Sequence, residues 1–136
     1  MNISPEEAVE VLEACMNRGY ETLDSIRTDC QEHISNVESR KEHWSQLWGI
    51  WVSDCLKKLQ ETYNSPSRAY NFRETKTTRY AMSNDLPYTG FENDINAKIQ
   101  VLKGYYDFIM RQGHPSITVN GDLNFQLGEN ISYEKK

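Results

Sequence analysis

Between Pro5 and Pro66 no proline interrupts the chain, and through that span apolar or semi-apolar residues return at helical intervals. They are Leu12, Met16, Leu23, Ile26, Cys30, Ile34, Val37, Trp44, Trp48, Trp51, Cys55 and Leu59. From residue 23 onward the steps are threes and fours, with one gap at Lys41. That period belongs to an α-helix with one apolar face. One unbroken helix over residues 5–63 would be roughly 90 Å long at 1.5 Å per residue, more than a monomeric domain normally supports. We therefore expect two helices or one strongly bent helix, with Gly19 or the polar stretch 35–39 as the cheapest break. A long coiled-coil helix shared between subunits is the alternative.

The start of this region is well marked. Ser4-Pro5-Glu6-Glu7 offers a capping hydroxyl, a proline at the first helical position and a glutamate placed to close a capping box. Residues 64–91 hold two prolines, a glycine and a Thr/Tyr/Phe-rich middle, and they read as a long connection. A further helix over 92–113 carries Ile95, Ile99, Leu102, Tyr106 and Ile109, then ends at Gly113 and Pro115. After it the period changes to two. Ile117 and Val119, the turn pair Asn120-Gly121, then Leu123, Phe125 and Leu127 predict a β-hairpin or meander over 116–133. The expected fold is mainly α: a single domain of long antiparallel helices, bundle-like or coiled-coil-like, with a small C-terminal β element.

The tail VNGDLNFQLGEN resembles short C-terminal segments of the form GDxNxQxGxN on some bacterial and phage-encoded proteins from defence and mobile-element settings. The matching positions are Gly121, Asp122, Asn124, Gln126, Gly128 and Asn130, about a tenth of the chain. The resemblance implies an association element rather than a catalyst, and a setting in which the chain is an immune component or an inhibitor of one. The same residues also suit an ordinary terminal hairpin.

Composition bears on partners. The hydrophobic fraction is 38% with a mean hydropathy of -0.76, so the core is thin or is completed by another subunit, and a homo-oligomer is expected. Charge is segregated: residues 1–63 hold 6 Lys+Arg against 12 Asp+Glu, whereas 64–91 hold 4 against 2. An acidic first half repels a phosphate backbone, which argues against duplex nucleic acid as a partner. Three cysteines without a CxxC pair, an acidic N-terminus and no long apolar run predict a reduced, cytoplasmic chain that does not enter a membrane.

Candidate sites follow from a few clusters. Trp44, Trp48 and Trp51 share one helical face, suited to a core or to an interface, and Phe125 adds an aromatic to the terminal element. Gly49 inside that run invites close approach of another backbone. Cys30 and His33 have a zinc-like spacing but lack a second pair, and no metal or other cofactor is expected. Neither GxSxG nor a phosphate-cradling glycine loop is present, so an enzyme is not expected.

The segment SRAYNFRETKTTRY is the strongest binding candidate. Arg68, Arg73, Lys76 and Arg79 supply charge, while Tyr70, Phe72 and Tyr80 supply faces for stacking. If residues 68–74 are extended, Arg68, Tyr70 and Phe72 share a side. Otherwise the tyrosine and phenylalanine anchor a loop while its arginines pair with the acidic half. Two functions suit these features. One is a non-enzymatic helical protein that oligomerises and binds a protein partner; the other is a binder that sequesters a phosphorylated nucleotide.

Overall fold

The computed structural model describes residues 1–75 and 86–112, and among these residues there are four α-helices. They are α1 (Pro5–Glu32), α2 (Lys41–Thr62), α3 (Ser67–Glu74) and α4 (Thr89–Arg111), with a 3-10 turn at Val37–Arg40 between the first two. No strand occurs among the described residues. The hairpin expected over 116–133, with Phe125 and the tail motif, lies outside them.

The start of α1 is as its sequence predicts. The Glu7 amide donates to the Ser4 hydroxyl at 3.1 Å, and the Glu7 carboxylate accepts from the Ser4 amide at the same distance. Along α1 the buried residues Ala8, Leu12, Cys15, Gly19, Leu23, Ile26 and Cys30 step by threes and fours, so one stripe faces inward. The helix ends at the polar stretch. Its reversal into α2 is pinned by Asp29, whose carboxylate receives Arg40 Nε and Nη2 at 2.9 and 2.8 Å and Trp44 Nε1 at 2.7 Å.

Helices α1 and α2 are antiparallel neighbours. Arg18 pairs with Asp54, and Trp51 Nε1 donates to the Cys15 carbonyl at 2.9 Å. Gly19 lies against the Trp51 indole, where an added Cβ would come within 2.6 Å of a ring carbon. Gly19 is therefore a point of contact within a continuous helix, not a break. Gly49 has nothing within 4 Å of an added Cβ among the described residues, and the close approach of a neighbour occurs at Gly19 instead.

Helix α4 crosses this pair and packs most extensively on α1. Ile95, Ile99 and Leu102 are buried on its inner face. The resulting core contains Trp44, Trp51, Phe72, Leu12, Ile26 and Leu59, each almost wholly removed from water. Burying one large apolar side chain contributes about 1.5–3 kcal/mol, so these six outweigh the weak propensity of the polar helices around them.

Candidate functional site

Residues 67–74 form a helix, not the extended strand that would place Arg68, Tyr70 and Phe72 on one side. An eight-residue helix has little stability by itself. What holds this one is its apolar pair at i and i+3: Ala69 and Phe72 turn inward, and Phe72 meets Trp51 edge-on at a centroid distance of 5.7 Å. Phe72 is thus a core residue and leaves the candidate binding set. Helical geometry sends Tyr70 and Arg73 outward instead, with Tyr70 55% exposed.

Arg68 is the centre of the surface that remains. Its guanidinium lies over Tyr63 at 4.6 Å, Tyr105 at 5.6 Å and Phe108 at 5.9 Å. Tyr63 and Tyr105 pack edge to face at 6.0 Å, and the Tyr105 hydroxyl donates to the Arg68 carbonyl at 2.9 Å. Burial pushes the Tyr105 phenol up to about 12, against the opposing pull of Arg68. Tyr63 is raised for the same first reason. Both phenols therefore stay protonated near neutral pH, and that of Tyr105 acts as a donor, not a base.

Beside this stack, Arg73 lies 5.3 Å from the Tyr70 ring and pairs with Glu74 at 3.0 Å. Phe108 is 49% exposed. Helices α3 and α4 therefore each expose one aromatic ring, Tyr70 and Phe108, with an arginine near it. Arginine, tyrosine and other aromatics in this arrangement are the residue types that carry most energy at protein interfaces.

Of the residues singled out in the segment, the structure pairs Tyr70 with Arg73 and sets Arg68 separately against Tyr63, Tyr105 and Phe108. Lys76, Arg79 and Tyr80 lie outside the described residues. The sequence reading missed Tyr63, Tyr105 and Phe108. Their signal was available in the run Gly104-Tyr105-Tyr106-Asp107-Phe108, where Tyr105 and Phe108 share a face at i and i+3.

The tryptophan face divides. Trp44 and Trp51, at 0 and 2% exposure, fill the core of this chain instead of an interface with another. Trp48 is half-buried and donates to Asp94 Oδ2 at 2.6 Å. Asp94 also receives Lys98 Nζ at 3.1 Å, and that buried ammonium reaches the Thr75 carbonyl at 2.8 Å. Two acceptors compensate the cost of burying Lys98, which ties the end of α3 to α4.

The zinc-like pair does not assemble. Cys30 is buried, and His33 turns to the Asp29 carbonyl at 3.0 Å. Asp29, Glu32 and His33 do bring ligand atoms within 4.8 Å of one another. Both Asp29 oxygens are already occupied, however, and the Arg40 guanidinium between them opposes a cation. The chemistry of this cluster is that of a structural anchor.

No protein-family model matches this chain, and no curated protein or solved structure matches it either. Among the described residues no helix is long and apolar enough to cross a membrane.

Proposed function

We propose that this chain is a non-enzymatic helical interaction protein that binds a protein partner, or a second copy of itself, through the α3–α4 face. The observation that carries the reading is the exposure of Tyr70 on α3 and Phe108 on α4, each with an arginine near its ring. Such residues lose little rotamer freedom on binding, which lowers the cost of association. The resemblance of the tail supports a defence or mobile-element setting, with the chain as an immune component or an inhibitor of one.

Sequestration of a phosphorylated nucleotide is the competing reading. It requires phosphate donors and an open aromatic face. Arg68 is engaged with three rings and Arg73 pairs with Glu74, so the nucleotide reading leans on Lys76 and Arg79 instead.

The experiment is a comparison of the wild type with Tyr70→Ser/Phe108→Ser by sedimentation velocity, alone and with any partner that co-purifies in fixed ratio. We expect the complex to dissociate in the double variant while far-UV circular dichroism keeps the same helix content. A complex that survives both substitutions would remove this face from the function.

A further inference from the structure

A cavity of about 430 Å³ opens between α1 and α2, away from the α3–α4 face. Cys15, Cys55 and Trp51 are its buried lining, and Arg18, Asp54 and Lys58 stand closer to solvent. The two cysteines come from different helices, yet the local register leaves them opposite each other. One turn away, Gly19 receives the Trp51 ring, and at the neighbouring level Arg18 pairs with Asp54. The Trp51 Nε1 bond to the Cys15 carbonyl fixes the same level from the backbone side. Contacts at three such points fix the register and place Cys15 and Cys55 at one level of the α1–α2 interface, lining the same cavity.

We propose that Cys15 and Cys55 form a peroxide-reactive dithiol whose oxidation joins α1 to α2 through a disulfide. Neither residue takes part in the proposed association surface. Both are free cysteines, and the cavity gives a molecule as small as hydrogen peroxide a route to them. The pair is also electrostatically uneven. The hydrogen bond from Cys55 lowers the Cys15 thiol, with Lys58 and Arg18 adding to the effect against burial. The same bond and burial push Cys55 up. Cys15 is thus the more readily ionised of the two thiols.

The chemistry balances with one hydroperoxide. The Cys15 thiolate attacks a peroxide oxygen; an S–O bond forms, the O–O bond breaks and hydroxide leaves. The Cys55 sulfur then attacks the Cys15 sulfur, the S–S bond forms, and the S–O bond breaks as the second oxygen departs. The thiol proton of Cys55 and one from solvent complete two waters. Two sulfurs have each lost one electron to a single hydrogen peroxide. Cys30 lies on the same helix as Cys15 but 15 residues further along it, about 22 Å at 1.5 Å per residue, and serves as an internal control.

The test treats the fully reduced chain with stoichiometric hydrogen peroxide, alkylates the remaining thiols after denaturation and maps the peptides by mass spectrometry. We expect an intact mass lower by two hydrogens before alkylation, a Cys15–Cys55 linked peptide, and Cys30 recovered in alkylated form. The oxidised chain should unfold at a higher temperature than the reduced one and return to the reduced value with dithiothreitol. In Cys55→Ala the reaction should stop at a Cys15 sulfenic acid that dimedone traps. Equal recovery of three alkylated cysteines, a bridge to Cys30, or oxygen adducts on single cysteines in the wild type would each overturn the proposal. The wild-type map decides even if the variant fails to fold.

Discussion

At the scale of single residues, two glycines in similar helical surroundings have opposite meanings. Gly19 is there because Trp51 and Ile99 fill the space a side chain would need, with contacts at 2.6 to 3.0 Å. Gly19→Ala gains about 1 kcal/mol of helix propensity but forces an overpacking cost of roughly 1–3 kcal/mol against a rigid indole. We expect net destabilisation in urea titration. Gly49→Ala meets no neighbour, so it should stabilise by about 0.5–1 kcal/mol in the same assay. Opposite signs test the packing directly, and equal signs would contradict the close fit of Trp51 against Gly19. Asp29 carries the pH dependence at this scale. Its carboxyl is held well below the usual range, first by Arg40 and then by Trp44, against partial desolvation. A depressed folded value contributes stability that is present above the unfolded value of about 4 and is lost as pH falls from there toward the folded one. Acid titration of Asp29→Asn should therefore show a shallower loss of stability below about pH 4 than the wild type.

At the scale of elements, α3 depends on what lies beneath it. Phe72→Ala removes the ring packed on Trp51 and should cost about 3–5 kcal/mol, with protease cleavage appearing first near α3. An unchanged cleavage pattern would show that Lys98 and Arg68 alone hold the element. This helix is also where the sequence was hardest to read. Ser4 and Glu7 announced the start of α1 because capping is a local interaction, and the period from Leu23 to Leu59 announced helix through the region because every turn repeats the same constraint, while leaving two helices or one bent helix open. The break fell in the polar stretch 35–39, one of its two expected places, since no buried side chain there resists it. Segment 67–74 has only two inward residues, Ala69 and Phe72, too few to establish a period, and its helicity comes from tertiary contact. The tryptophans posed the converse difficulty. Three indoles on one face suit a core and an interface equally, and only the placement of α4 and α3 over Trp44 and Trp51 distinguishes them.

At the scale of the whole molecule, a chain with few apolar residues builds its core by concentrating large ones between three long helices and a short fourth. The first half keeps its acidic character in capping, ion pairs and solvated surface, with Glu7 closing the cap and Glu13 receiving the Tyr106 hydroxyl at 3.4 Å. The basic segment contributes differently: Arg68 becomes part of the α3–α4 packing, and what reaches solvent is an aromatic and arginine face. Among the described candidates of the segment, Phe72 is buried in the core, Arg68 is half-buried, and Tyr70 and Arg73 are exposed, a division that a linear reading cannot make. The most direct test of protein association as the function is native mass spectrometry of the chain purified without denaturation. The account predicts a protein complex of integer stoichiometry with no retained small mass. A monomer carrying a nucleotide-sized mass, or a bare monomer at every concentration, would contradict it.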